Sequence, residues 1–548
     1  MKTKFSRRKF LKTSALATGA GLTAPLWRSR MWAASGGAAM PAVPAPQIPA
    51  GPFSASRESL KAYVAPDWFR DAKFGIFCHW GPQSAAEYGD WYARRMYIEG
   101  EAQYKHHLEH YGHPSKTGFA GVIDSWKADK FDADYLLGLY KKAGAKYFVS
   151  MGVHHDNFDL WNSKYQPRWN AAKSGPKKDI VGLFKQAADK QGLRFGVSEH
   201  LSNSFCWYGP AHGSDKNGPL AGVPYDGQDA QFAELYHDYS KMPADFVDKV
   251  VHAPAKGAIA MSVEGPPSWS ENYFARILDV VTQYAPDILY TDGGIPFGDA
   301  GLALVAHHYN TSAKRNGGKV DAIYTSKSRP DSVSGMCVLD VERGLVDGIW
   351  PRPWQTDTCV GNWHYDTRAR YKTPKYVIDM LVDIVSRNGN LLLNFPLPNS
   401  GMLDDKELAI VTGITGWMAV NSEAIHGTRP WKIFGAGPGA EIKAVPGVQF
   451  NENLRKDFTA EEFRFTTKGS TLYAFFMGWP EKEIVIAPLA TTSPNVQGKI
   501  ENVELLGHPG KLAWTHDDKG LTVQLPAQKP CDFGYALKIA GLDTGVRI

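Results

Sequence analysis

The sequence predicts an α/β chain, a (β/α)8-like barrel catalytic domain followed by a C-terminal antiparallel β-sandwich. Three observations carry that expectation. First, apolar runs of β-type composition, Phe74–Trp80, Tyr147–Val153, Arg194–His200 and Ile288–Asp292, alternate with amphipathic segments such as Ala133–Ala143, Ile180–Gln191 and Asn272–Tyr284. Strand-helix alternation implies a parallel sheet. Second, each run ends in polar residues: His79-Trp80-Gly81, His154-His155-Asp156, Glu199-His200 and Asp292-Gly293-Gly294. A barrel enzyme carries its chemistry at the carboxyl ends of its strands. Third, the pattern changes after Arg429-Pro430 to short strand-like segments, Glu462–Thr467, Thr471–Gly478, Glu483–Ala487, Glu504–Leu506 and Leu521–Leu525, divided by Gly, Pro and Lys-rich turns. That spacing is the mark of a sandwich.

The 548 residues divide accordingly. Residues 1–34 read as a signal peptide: Ser6-Arg7-Arg8-Lys9-Phe10-Leu11-Lys12 is a twin-arginine export motif, followed by a modest apolar stretch from Thr13 to Trp27. That stretch is too short and too polar to stay in a bilayer, and Ala33-Ala34 and Ala38-Ala39 offer cleavage points. Residues 35–56, rich in Ala, Pro and Gly, read as a flexible linker. Residues 57–430 should form the barrel and 431–548 the sandwich. A periplasmic or secreted location is the expectation.

The formal charge of +5 belongs to that leader, which holds eight Lys or Arg and no acid. Removing the eight leaves 53 basic residues against 56 acidic ones, so neither a nucleic acid nor a membrane is an expected partner. The five cysteines show no CxxC spacing, which indicates neither a zinc site nor a redox pair. A protein that folds in a reducing compartment before export needs no disulfide framework.

Two acids stand out. Asp292 closes an apolar strand and is followed by glycines that leave room beside it; its bland role is a helix N-cap. Glu342, in Val338-Leu339-Asp340-Val341-Glu342-Arg343, could be no more than half of a surface ion pair with Arg343. The histidines add weight, because His79, His154, His155 and His200 all fall at strand ends. Such clusters serve divalent metals or polyhydroxylated ligands. A metal-dependent barrel hydrolase carries a His-x-His pair on its first strand, whereas this chain offers only His79 there. That favours a sugar. Seventeen Trp, 24 Tyr and 26 Phe supply the flat faces a pyranose needs beside hydrogen-bonding groups.

Several long motifs then carry a family resemblance. Trp68-Phe69-Arg70-Asp71-Ala72-Lys73-Phe74-Gly75-Ile76-Phe77-Cys78-His79-Trp80-Gly81, Phe131-Asp132-Ala133-Asp134, His154-His155-Asp156-Asn157-Phe158-Asp159-Leu160-Trp161, Asp179-Ile180-Val181-Gly182, Asn390-Leu391-Leu392-Leu393-Asn394 and Glu423-Ala424-Ile425-His426-Gly427-Thr428-Arg429-Pro430 resemble, in order, the α-L-fucosidases of glycoside hydrolase family 29. The resemblance implies a retaining, exo-acting enzyme on fucosylated oligosaccharides or glycoconjugates, with no cofactor and no metal. It makes Asp292 the nucleophile and His79, His154, His155 and Trp91 sugar contacts. Trp80 and Trp354 are counted with them. The family usually has Glu before that Trp, where this chain has Asp90, and often Tyr where Ser198-Glu199-His200 stands, so His200 or Glu199 should take over that contact. Glu342 is assigned as general acid, and Lys327 or Arg329 as a basic contact. Asp292 should raise the pKa of Glu342, and closely spaced imidazoles should work neutral. A metal-dependent barrel hydrolase and a catalytically inactive sugar-binding protein are the alternatives; the presence of both acids argues against the second.

Overall fold

Eight parallel strands, β1 (Phe74–Cys78), β2 (Tyr147–Val153), β3 (Arg194–Glu199), β4 (Ile288–Thr291), β5 (Ile323–Ser326), β6 (Val338–Asp340), β7 (Trp354–Cys359) and β8 (Gly389–Asn394), close into a barrel in chain order. Closure is made by β1, which pairs with both β2 and β8. The computed structural model describes residues 48–441, 449–452, 455 and 457–545. β1, β2 and β8 are buried along their whole length, which matches their near-continuous apolar sequence. Gly75 faces Tyr147 in the β1–β2 register, and a side chain there would run into the tyrosine ring.

The outer helices show why they start and stop. Helix Ile180–Gln191 begins where the Asp179 side chain accepts from the Gly182 amide and ends at Gly192 in the left-handed region. Its buried residues Ile180, Val181, Phe184, Ala187 and Ala188 form the single stripe that helical spacing gives. Helix Asp405–Asn421 opens on a reciprocal cap between Asp404 and Glu407. Among the described residues no helix is long and apolar enough to cross a membrane. All five cysteines are free thiols.

The C-terminal region holds two antiparallel sheets. One is five-stranded, in the order β13 (Gly498–Leu505), β16 (Tyr535–Leu542), β11 (Thr471–Phe476), β10 (Phe463–Lys468), β9 (Arg429–Ala436); the other is three-stranded, in the order β12 (Glu483–Ile486), β15 (Gly520–Gln524), β14 (Trp514–Asp517). Trp431, Phe465, Phe476, Ile486, Val523 and Ile539 fill the space between them. The sandwich is fixed to the barrel by charge as well as packing. Asp383, on helix Pro374–Ser386, meets Arg464 at 2.5 Å, Arg455 at 3.1 Å and Arg387 at 3.4 Å, all buried. Those guanidinium groups hold its carboxyl well below the usual range against the effect of burial.

Two boundary expectations need correction. Residues 1–34, the expected signal peptide, and residues 35–47 of the expected linker lie outside the described residues. Residues 48–56 are docked, not a free spacer. The Asn310 side chain accepts from the Phe53 amide at 3.0 Å and donates to the carbonyls of Pro49 and Phe53, at 2.9 and 2.7 Å, while Phe53 packs on Tyr309. An aromatic side chain that finds an apolar seat outweighs the flexibility of its Pro and Gly neighbours. The second correction is at the sandwich, whose first strand starts at Arg429 and whose chain returns to the barrel at Gln449–Glu452.

Candidate active site

Side chains from β7 and from just beyond β4 and β6 converge on one ammonium group. Lys327, just past β5, places Nζ 2.5 Å from Asp292 Oδ1, 2.6 Å from Glu342 Oε2 and 3.8 Å from Asp357 Oδ2. Its side chain is 11% exposed and those of Asp292 and Glu342 are 14% and 16% exposed, open enough for a ligand yet largely stripped of water. Gly293, at φ +148, gives the turn after Asp292 a backbone that other residues resist, and its carbonyl accepts from the Lys327 amide at 2.8 Å. On its other oxygen, Asp292 meets His200 Nδ1 at 3.2 Å and His155 Nε2 at 3.4 Å.

Electrostatics separate the two acids. Burial opposes the charge on Asp292, but Lys327 and His200 outweigh it and hold the carboxyl well below its usual range. Burial raises Glu342 to about 7; Lys327 opposes that shift, while Asp357 and Asp292 reinforce it. One carboxyl is therefore ionised and the other protonated near neutrality. Burial also works against the charge of Lys327, yet Asp292, Asp357 and Glu342 keep it firmly protonated. Below it, Tyr290 Oη lies 3.1 Å from Asp340 Oδ2 and 2.8 Å from Asp357 Oδ2. Burial, then the neighbouring Asp340, push Asp357 well above the carboxylate range.

The four histidines expected together are together. Ring centroids lie 4.6 Å apart for His154 and His155, 4.7 Å for His154 and His200, and 5.2 Å for His79 and His200. Burial, then their mutual repulsion, hold His79 and His154 well below the ordinary value. Burial takes His200 to about 4 against the pull of Asp292. His155 Nδ1 lies 2.5 Å from the His200 carbonyl, which fixes the proton on that nitrogen. Its Nε2 is turned to Asp292 Oδ2. Among the described residues, His79, His154 and His200, or His155, His200 and Asp292, are the sets that could gather round a metal, with one ligand atom each within 4.8 Å.

Other expected residues divide. Trp91 reaches the site, half-buried, with its ring 5.9 Å from His155 and 6.0 Å from Trp207. It does so from a left-handed backbone at φ +58, a strain a bulky residue keeps only where its surroundings impose it. Asp90 accepts from the His364 amide at 2.6 Å and so sets that histidine, whose ring lies 4.7 Å from His154. Of Lys327 and Arg329, Lys327 joins the acids, while Arg329 stacks on Trp350. Of His200 and Glu199, His200 meets Asp292. Glu199 is buried beneath it and accepts from Tyr273 at 2.8 Å, from Thr291 and from the Leu201 amide at 3.1 Å.

Two expectations are overturned. Trp354 is the first residue of β7, so it sits at the amino end of the barrel; its ring N–H donates to the Arg387 carbonyl at 3.0 Å. Trp80 turns away from the adjacent His79, as alternation along an extended chain requires. It packs at 5.1 Å on Trp126 and 4.9 Å on Phe131, and donates to the Pro398 carbonyl at 2.9 Å. Sequence reasoning also missed His364, Trp207, Tyr290 and Asp357. For Tyr290 the signal was present, two residues before Asp292 and on the same face of β4.

A closed parallel barrel that presents an ionised carboxylate and a protonated carboxyl on one lysine, within a wall of histidines, is a glycoside hydrolase site. The family model for alpha-L-fucosidase matches residues 43–423, and that for the alpha-L-fucosidase C-terminal domain matches residues 455–540. The chain belongs to the α-L-fucosidase family, glycoside hydrolase family 29. Human tissue alpha-L-fucosidase is 25% identical over 505 residues, covering 88% of this chain and 91% of that protein. Human plasma alpha-L-fucosidase is 25% identical over 507 residues, covering 89% and 93%. Among solved structures, Thermotoga maritima alpha-fucosidase shares the fold at a TM-score of 0.65 and 23% identity, covering 89% of this chain and 100% of that one. Alpha-L-fucosidase isoenzyme 1 from Paenibacillus thiaminolyticus does so at 0.60 and 20%, with the same coverage.

Proposed function

We propose that this glycosidase is a retaining, exo-acting α-L-fucosidase that removes terminal α-L-fucosyl residues from oligosaccharides or glycoconjugates by double displacement. One observation carries the reading. Asp292 Oδ1 and Glu342 Oε2 bond the same Lys327 nitrogen at 2.5 and 2.6 Å, so they lie no farther apart than those lengths end to end, about 5.1 Å. That ceiling falls short of the roughly 6.5–9.5 Å by which an inverting pair admits water, and so favours a retaining pair, whose carboxyl groups stand about 5–5.5 Å apart.

In this reading Asp292 attacks the anomeric carbon while Glu342 gives its proton to the departing oxygen. Esterification removes the charge of Asp292. Lys327 is then left to pair with Glu342, whose pKa falls, so that Glu342 takes a proton from the incoming water. Neutral His79, His154 and His200 bind sugar hydroxyls without opposing the positive charge that grows at the anomeric carbon, and His155 adds a further polar contact. Trp91 offers a flat face, and Asp90 acts on the sugar through His364 or directly. The test is a panel of aryl α-L-fucoside, aryl α-L-galactoside and fucosylated oligosaccharides, with the first-formed anomer followed by NMR. Initial α-L-fucose is expected; initial β-L-fucose contradicts retention, and no fucoside hydrolysis contradicts the reading as a whole.

The Ser6–Lys12 motif supports export by the twin-arginine route to the periplasm or beyond. Changing Arg7 and Arg8 to Lys should leave the enzyme in the cytoplasm; unchanged export would refute that route.

A further inference from the structure

The acid loop is held by a piece of the other domain. Gln449–Glu452, from the chain between β9 and β10, runs beside Glu342–Leu345. The Phe450 amide donates to the Glu342 carbonyl and the Glu452 amide to the Arg343 carbonyl, both at 2.8 Å. The Gln449 side chain accepts from the Glu342 amide at 2.6 Å and donates to the Lys327 carbonyl at 3.4 Å, so one amide group spans the backbones of both residues. The Asn451 side chain accepts from the Leu345 amide at 2.8 Å.

Glu452 is the anchor of this strip. Its buried carboxylate takes Arg343 Nε at 2.6 Å and a second Arg343 nitrogen at 2.5 Å, the Thr358 hydroxyl at 2.7 Å and Lys372 at 3.3 Å. Thr358 and the carbonyl that Lys372 binds, that of Cys359, belong to the end of β7, so the carboxylate ties the acid loop to the barrel rim. Arg343 needs such a tie. It follows Glu342 with φ +45, a conformation that persists only under outside constraint.

We propose that Gln449–Glu452 is a strap through which the C-terminal domain places the general acid, with Glu452 the positioning residue for Glu342. It touches no substrate and acts through the backbone next to the acid. The inference rests on Glu342 as the acid. A catalytic group displaced by about 1 Å can lose on the order of a hundredfold in rate, and in the glycosylation step the loss should appear only where protonation of the leaving group limits it.

The experiment compares Glu452→Gln, and separately Gln449→Ala, with the wild type on a nitrophenyl fucoside and on an alkyl fucoside. Thermal melting checks that each variant is folded. For a folded variant, kcat/KM on the nitrophenyl substrate, which reports the glycosylation step alone, should stay within about threefold and kcat/KM on the alkyl substrate should fall about tenfold or more. In a Glu342→Ala background, Glu452→Gln should cost nothing further on the alkyl substrate. Equal losses on both substrates, an unchanged alkyl rate, or an additive loss in that background would each overturn the strap. If Glu452→Gln does not fold, Gln449→Ala decides on the same criteria. If Glu342→Ala itself harms both substrates equally, the acid assignment falls and the strap with it; a normal Glu342→Ala signature with unaffected strap variants overturns the strap alone.

Discussion

Asp292 and Glu342 reach the same lysine nitrogen, at 2.5 and 2.6 Å from Lys327 Nζ. A cation shared in this way lowers the pKa of both acids. Burial and the second negative charge then decide which acid keeps its proton. Asp292, with Lys327 on one oxygen and two histidines on the other, stays ionised; Glu342, with Asp357 and Asp292 as neighbours, rises to about 7. The division of labour follows from that asymmetry.

Asp292→Ala should lower turnover of an aryl α-L-fucoside by about three orders of magnitude or more, a barrier of ~4 kcal/mol. Azide should restore part of it, because a small anion can occupy the vacated space. Retention of more than about a tenth of wild-type activity, a loss under ~1.4 kcal/mol, would remove Asp292 from the nucleophile's role.

Glu342→Ala should harm substrates with poor leaving groups far more than nitrophenyl fucosides, which need little protonation to depart. Equal damage would move the acid role elsewhere. Glu199 is poorly placed to inherit it, since its carboxylate is already committed to Tyr273, Thr291 and Leu201.

The pH profile of kcat/KM should be a bell. Above about pH 7 activity falls as Glu342 loses the proton it must donate. Toward low pH, Asp292 remains ionised, and the limb near pH 4 comes from His200 gaining a charge that opposes the transition state. Buried histidines thus move the acid limb down toward that of an ordinary carboxylate. His200→Gln should shift this limb lower; a limb that stays put assigns it to another group.

Lys327→Met removes the shared cation. Glu342 should then hold its proton more tightly and His200, no longer repelled by that cation, should gain one more readily, so the basic and acid limbs should both move to higher pH while the maximum rate falls. Unmoved limbs in a folded variant would show that Lys327 does not control the pair.

Prolonged EDTA treatment should leave activity intact, since Lys327 supplies beside Asp292 the fixed positive charge that a metal would bring. Activity lost to EDTA and regained with zinc would revive the metal-hydrolase alternative, for which two histidine sets stand ready.

The barrel was legible where strands are apolar and end in histidine or aspartate, as β1 to β4 do. The short β6 and the polar β7, Trp354-Gln355-Thr356-Asp357-Thr358-Cys359, carry no such run, because their side chains serve a hydrogen-bonded interior. Asp357 was hidden for that reason. Trp354 was misplaced because a tryptophan does not reveal which end of a strand it occupies. Trp80 was misplaced because neighbours on an extended chain face opposite ways. His364 lies in the loop beyond β7, and its backbone is held at the cluster by Asp90, 274 positions away. The pairing of Arg343 with Glu452 spans 109 positions and two domains, so nothing local announces it.

The most direct test of the central claim is to trap the glycosyl-enzyme with a 2-deoxy-2-fluoro-α-L-fucosyl donor carrying a good leaving group and to map the labelled peptide by mass spectrometry. The fluorine destabilises the second transition state, so the covalent ester should accumulate. The account predicts one label per chain, on Asp292, and no label in Asp292→Ala. A label on any other carboxylate, or inactivation without a covalent adduct, would contradict it.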